Sequence, residues 1–506
     1  MKFGMAMPDF GTKKTTPDFP AGATWFNTST PFSLTGNLKG QIVVLDFWTY
    51  CCINCIHLIP RLKKWEDEFA GMPVVFIGVH SPKFQNEKDA ENIQNAIDRY
   101  EIKHAVVSDE NHALWNAFGI NAWPTMAIIG SDGQRAYQRS GETHNELQKT
   151  IHQLLEIGKR EGTLAQALPD FYATPKQKTG TLSFPGKIDF DWKTRRLAIA
   201  DSNHNRIVIA QMNGGQAKIT EIIGNGSNGF ADGTFSRAQF FRPQGLSWVQ
   251  GALFVADTEN HAIRKIDFEK KTVSTSGGNG TQAPHVPGIN RQGTVILNSP
   301  WDILAHDEHL YIAMAGSHQI WSMRLADHRF EPFAGTGGEN RIDGPRQLAF
   351  FAQPSGLSSD GEHLFIADSE TSSIRQIGFS DKMVNTVTGA GGLFDFGSAD
   401  GPLSKARFQH PIGLDYRDGK IYVADTYNHA IREIDWAKKN VRTIVGTKQK
   451  GKKICMIGDT ECQDLPLNEP NDVLAVADGL LIADTNNHLL RKFDPKTRRL
   501  SDLQIE

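Results

Sequence analysis

Cysteine is scarce in this chain. There are five in 506 residues, and three of them, Cys51, Cys52 and Cys55, fall within one five-residue window. A secreted scaffold held by disulfides would carry many more in a smaller chain, so the clustering favours chemistry over stapling. Long apolar runs are also missing: no stretch approaches the roughly 20 apolar residues of a membrane span, and Met1 to Phe10 has no apolar core of a secretory leader. A cytoplasmic protein with no membrane partner is expected. Neither sign of charge is in excess, since 54 basic against 57 acidic residues leave a net charge of -3. Bulk charge therefore points to no polyanion, and nucleic acid is not the expected partner.

What is present divides the chain in two. Residues 42 to 160 alternate short apolar strands with amphipathic helices, which argues for an α/β domain over 1–160. The strands are expected at Ile42 to Trp48, Val74 to Val79, Ala105 to Ser108, Thr125 to Ile129 and Gln134 to Ser140, with a last helix from about His144 to Lys159. Residues 161–178 change composition and look like a linker.

From 179 to 506 a repeat dominates. An apolar triplet is followed by Ala-Asp-(Ser/Thr), a polar pair, and Ile or Leu six residues after the Asp. Copies centre on Asp201, Asp257, Asp368, Asp425 and Asp484, with a degenerate copy at Met314, at steps of 56, 57, 54, 57 and 59 residues. Each is preceded by a proline that opens an earlier strand: Pro185, Pro243, Pro300, Pro354, Pro411 and Pro470. Four short strands fit each period. Such a sheet cannot bury both faces alone, so six of them are expected to close radially into an all-β six-bladed propeller. The turn residues Asp, Asn and His read as closing the turn onto backbone amides rather than as metal ligands.

The sequence Val43 to Cys55 runs from a buried strand straight into a helix, placing Cys52 at the helix start. Amide groups and the macrodipole there stabilise a thiolate, so Cys52 is expected to act as nucleophile and Cys55, one turn later, to resolve the mixed disulfide. Asp46, six residues before Cys52, would lie on the strand beneath the pair and can shuttle a proton for Cys55. Cys51 reads as a packing residue with a third redox thiol as the alternative, and His57 as a surface residue. Pro60 should kink the helix built on Leu58, Leu62, Trp65 and Phe69.

These residues resemble thioredoxins, particularly the TlpA-like branch, over roughly residues 15 to 160. The resemblance implies that Cys52 attacks, Cys55 resolves, Asp46 assists, and Trp123-Pro124-Thr125 holds a cis-proline edge where an extended substrate chain binds. Cys51 stands where thioredoxins carry tryptophan, and Ile53-Asn54 replaces their Gly-Pro. The phrases Asp257 to Arg264, Asp425 to Arg432 and Asp484 to Arg491 resemble NHL repeats over residues 180 to 506. Together the halves resemble NHL-repeat-containing proteins with a thioredoxin-like N-terminus.

The function expected is a cytosolic thiol:disulfide oxidoreductase acting on protein disulfides or dithiols, whose propeller recruits a protein partner. It would need neither cofactor nor metal. The alternative is an interaction scaffold whose thioredoxin fold has little or no turnover. Two weaker readings stay open: a peroxidase, which lacks the expected peroxide-binding loop, and a propeller enzyme using acids such as Asp189, Asp302 and Asp472. The long connections between blades, Gly-rich with aromatics such as Phe230, Phe240, Phe394 and Phe396, are expected to share a face with the Asp turns and to carry recognition. Cys455 and Cys462 are expected to be free thiols.

Overall fold

The computed structural model describes residues 16–142, 146–166, 180–213, 215–284, 288–289, 295–389, 391–446 and 466–506. Cys455 and Cys462, and most of the expected linker, lie outside the described residues. The chain divides into two compact units, Met1–Gln177 and Lys178–Glu506.

In the first unit the run Ile-Val-Val-Leu-Asp-Phe-Trp has too few polar positions for a strand with one wet face. It forms β2 (Ile42–Trp48), with all seven residues buried. Around it the elements are β1 (Trp25–Phe26), α1 (Ile53–Glu68), β3 (Val74–His80), α2 (Ala90–Tyr100), β4 (Ala105–Ser108), α3 (Ala113–Phe118), β5 (Thr125–Ile129), β6 (Arg135–Ser140) and α4 (Leu147–Glu161). The sheet order is β1-β4-β3-β2-β5-β6. β2, β3 and β4 run parallel, while β5 is antiparallel to β2.

Alternate residues of β2 feed two cores. Val43, Leu45 and Phe47 pack with Phe118 and Ile120, while Val44 packs with Leu58, Leu62 and Trp65 of α1 and Ile151 of α4. The sequence reading misses β1 and α3. A two-residue strand and a six-residue helix are too short to show a period. α3 instead depends on Asp109, whose carboxylate accepts from the Leu114 and Trp115 amides at 2.9 and 2.8 Å.

The second unit is the expected propeller of six blades, each an antiparallel sheet of four strands in chain order from the axis outward. Blade 2 is typical, with strands Leu246–Val249, Ala252–Asp257, Ala262–Asp267 and Thr272–Gly277. Two features exceed the expectation. The last strand, Gln504–Ile505, pairs parallel with the outer strand of blade 1 and closes the ring. In blades 2, 4 and 5 the incoming connection supplies a fifth strand, Gly233–Thr234, Gly344–Pro345 and Gly401–Pro402.

The repeat phrase is a set of stitches. Each Asp accepts an upstream backbone N–H, sixteen positions back in blades 2, 4, 5 and 6, as Asp257 does from Phe241 at 2.8 Å and Asp425 from Gln409 at 2.8 Å, and eighteen back in blade 1, where Asp201 accepts from Ser183. The next residue's hydroxyl donates to the proline carbonyl that opens the following blade: Ser202 to Pro243, Thr258 to Pro300, Ser369 to Pro411, Thr426 to Pro470 and Thr485 to Pro185. Blade 3 has Ala315 at this position.

The turn ends on a left-handed residue, a conformation that Asn and His tolerate better than most. Its side chain takes an amide from the next blade in all six cases. His261, His318, His429 and His488 accept at 3.0 Å through Nδ1, Asn205 at 3.0 Å through Oδ1, and Ser372 at 3.2 Å through Oγ. The turn residues therefore close onto backbone, as expected, and they also join blade to blade.

The acids of the innermost strands do the same. Asp189, Asp302 and Asp472 accept amides of the following blade from Trp248, Leu357 and Ile188 at 2.8, 2.9 and 2.9 Å. Lys187 reaches across to Asp302 at 3.1 Å and Asp472 at 3.7 Å. The reading of these acids as propeller-enzyme catalysts finds no support, because their oxygens are spent on blade joints.

Candidate functional site

The thiol site is built where β2 runs into α1. Cys52 caps the helix with extended backbone, and its carbonyl accepts the Cys55 and Ile56 amides at 3.0 and 3.1 Å. The Cys52 side chain is partly exposed and Cys55 is buried. Burial, then the hydrogen bond to Cys52 and the negative charges of Cys52 and Asp46, push the Cys55 thiol well above its ordinary value. One sulfur is thus accessible and the other is held back as a protonated thiol.

Asp46 sits on β2 beneath the pair, buried, with Oδ1 making no hydrogen bond. Burial raises its carboxyl to about 7, with attraction to His104 the opposing influence. Such a group takes and gives a proton near neutral pH.

The Trp123-Pro124 peptide is cis. Pairing of Thr125 with Phe47 sets this peptide level with the loop that leads to Cys52. Trp123 is held by its indole N–H on the Ser81 carbonyl at 3.0 Å and by the Trp115 ring, 4.4 Å away. Thr125 is buried, and its hydroxyl is shared between the Ala122 carbonyl and Ser140. It therefore holds the strand that follows the cis peptide.

Cys51 is buried, with its sulfur 3.7 Å from the Thr49 hydroxyl. Its position is fixed by Glu87, which sequence reasoning misses. Fully buried, Glu87 accepts the Thr49 hydroxyl at 2.6 Å and the Cys51 amide at 3.0 Å through one oxygen. Through the other it accepts the Lys83 and Phe84 amides at 2.8 and 2.9 Å. Four bonds to one carboxylate set the loop entering the Cys-x-x-Cys turn. A partner 36 residues from Cys51 leaves no local sequence signal.

His57 corrects an expectation. It is buried rather than at the surface, because α1 turns that face toward the segment after β6, where Glu142 meets its Nδ1 at 2.9 Å.

Comparison with known proteins agrees with this architecture. A thioredoxin-like family model matches residues 40–135, and an NHL-repeat model matches residues 408–434. NHL repeat-containing protein 2 of Bos taurus is 39% identical over 522 residues, covering 96% of this chain and 71% of that protein. The chain belongs to the NHL repeat-containing protein 2 family. Protein SUPPRESSOR OF QUENCHING 1, chloroplastic, of Arabidopsis thaliana is 42% identical over 502 residues, and the chain spans 47% of its length. Thiol-disulfide oxidoreductase YkuV of Bacillus subtilis is 25% identical over 113 residues, 22% of this chain and 76% of that protein.

Proposed function

We propose that this chain is a thiol:disulfide oxidoreductase-like protein that acts on protein disulfides through Cys52 and Cys55 and uses its propeller to recruit a protein partner. The carrying observation is the asymmetry of the pair: an accessible Cys52 at a helix start, and a buried, protonated Cys55 above an unpaired carboxyl. Cys52 thiolate attacks a client disulfide, forming a Cys52–client bond and releasing one client thiolate. Cys55 then yields its proton to Asp46 and attacks Cys52. The mixed disulfide breaks, Cys52 and Cys55 are joined, and two electrons have passed to the client, whose thiolates take protons from solvent. Run backward, the same steps oxidise a client dithiol. A reducing compartment such as the cytoplasm suits a chain with so few cysteines.

The propeller's part rests on its connections. The Asn260 and Asn428 side chains of the Asp turns donate to Gly229 and Gly397 of the connections, both at 2.7 Å, so turns and connections share a face. Three connections there expose large apolar side chains, Phe230, Ile342, Leu348 and Phe394, the last two 66% and 68% exposed. Phe240, by contrast, is fully buried in the core between blades and takes no part in recognition.

A scaffold without turnover would need those exposed side chains but not the thiol asymmetry. Reduction of a small disulfide by the full chain, lost in Cys52→Ser, separates the two. A Cys55→Ser trap tests recruitment. The full chain should hold specific adducts that residues 1–168 alone lose while still reacting with small disulfides. Equal capture by both would assign the propeller another role.

A further inference from the structure

Asp46 is buried beneath the thiols, so a proton taken from Cys55 needs a way out. The parallel register places Gly78 of β3 directly beside Asp46 and Val106 of β4 beside Gly78. Gly78 carries no side chain, and a Cβ there would lie 2.9 Å from the Trp48 indole nitrogen and 3.2 Å from His104 Nε2. The absent side chain therefore makes room for the His104 ring in the row that begins at Asp46. The ring is buried, and its other nitrogen, Nδ1, meets Glu66 Oε1 at 2.5 Å. Glu66 is on α1, with its side chain 17% exposed. The His104 backbone is fixed by the Asn27 amide, which donates to the Ile102 and His104 carbonyls at 2.8 and 3.1 Å.

We propose that His104 and Glu66 form the proton exit from Asp46 to solvent, a role that rests on the thiol:disulfide reading above. With Glu66 ionised, Nδ1–H donates to it and Nε2 faces Asp46 with a free lone pair. Nε2 accepts the proton of Asp46, Nδ1 releases its own to Glu66, and Glu66 passes it to water. The ring ends as the other tautomer, and Asp46 is again a carboxylate able to take a proton.

The surroundings leave this path without a competitor among the described groups. From α1, Lys63 places its ammonium on the Tyr100 carbonyl at 2.9 Å and lies 3.9 Å from Glu101. From β3, His80 shares the face of Gly78, but burial pushes its ring down to about 3, which keeps it neutral. From β4, Val106 is apolar. From β5, Met126, paired level with Asp46, is apolar.

The test uses the full chain with Cys52 loaded as a mixed disulfide with thionitrobenzoate, whose release reports attack by Cys55, followed between about pH 5 and 9. His104→Gln removes the ring that accepts the proton of Asp46, so release of thionitrobenzoate should slow several-fold throughout the profile. Glu66→Gln keeps an acceptor for the ring but cannot take its proton, and should slow release several-fold. Alkylation of free Cys52 by iodoacetamide should be unchanged in both. An unaltered release rate in both variants, or a lowered unfolding midpoint with an unaltered rate, would overturn the relay alone. No release from the unsubstituted chain would overturn the thiol:disulfide reading and the relay with it.

Discussion

Asp425 in the propeller and Asp46 in the thioredoxin-like unit are both fully buried carboxylates, yet their surroundings differ at every point. Asp425 accepts from Arg432 at 2.6 Å, Asn428 at 2.8 Å and the Gln409 amide at 2.8 Å. Arg432 in turn holds Asp400 at 2.6 Å and the carbonyls of Arg407 and Ala399, clamping the connection that supplies the fifth strand. The same clamp recurs with Arg264 in blade 2 and Arg375 in blade 4. Burial raises both carboxyls, but at Asp425 the charge of Arg432 and three hydrogen bonds oppose it, whereas Asp46 has no arginine and an oxygen with no partner. A buried carboxylate with both oxygens engaged is a rivet, and one left short of partners can exchange its proton. Counting partners therefore separates structural acids from a chemical one where residue type and burial do not.

The sharpest way to break this comparison is to strip a rivet. Arg432→Ala leaves Asp425 buried and unpaired and frees the fifth strand of blade 5, which should cost about 3–5 kcal/mol. Denaturant unfolding of the propeller reads it, and a loss under about 1 kcal/mol would mean that the clamp is ornamental.

Asp46 should behave in the opposite sense. A carboxyl raised in the folded state above its unfolded value near 3.9 is not penalised while both states are protonated. The penalty grows as pH rises from about 4 and is complete above about 7. Asp46→Asn should match the unsubstituted chain at about pH 4 and gain roughly 2–4 kcal/mol at about pH 8, while slowing attack by Cys55. Equal stability at both pH values would remove Asp46 from the chemistry.

The smallest effect lies in blade 3, where Ala315 interrupts the ring of hydroxyls. Ala315→Ser restores a donor toward the Pro354 carbonyl and should stabilise by about 0.5–1.5 kcal/mol. A destabilised variant would show that blade 3 is built for a gap.

How much of this is legible in the sequence follows from separation along the chain. The blades are legible because their phrase recurs six times in near-constant register. β2, β4 and β5 are legible end to end because continuous apolar runs have sharp edges. Cys52, Cys55 and Asp46 lie within ten residues, so their arrangement is a local pattern. Arg264 stands in the repeat phrase seven residues from its partner Asp257, but its other partners, the Gln239 and Ala231 carbonyls and Asp232, lie 25 to 33 residues away. The Glu87 contact to Cys51 and the Glu66 contact to His104 span 36 and 38 residues. No composition or period signals such pairs. Only the packing of helix and turn against the sheet brings them together, as ring closure brings Gln504 to Gln216 at the closing edge.

The account turns on the unequal roles of two sulfurs, and the most direct measurement is the mapping of adducts after exposure of the full chain to an oxidised peptide disulfide. With Cys55→Ser the account predicts a stable peptide adduct on Cys52, and with Cys52→Ser no adduct on Cys55, which is buried and held protonated. An adduct on Cys55 in Cys52→Ser, formed as fast as the first, would contradict it.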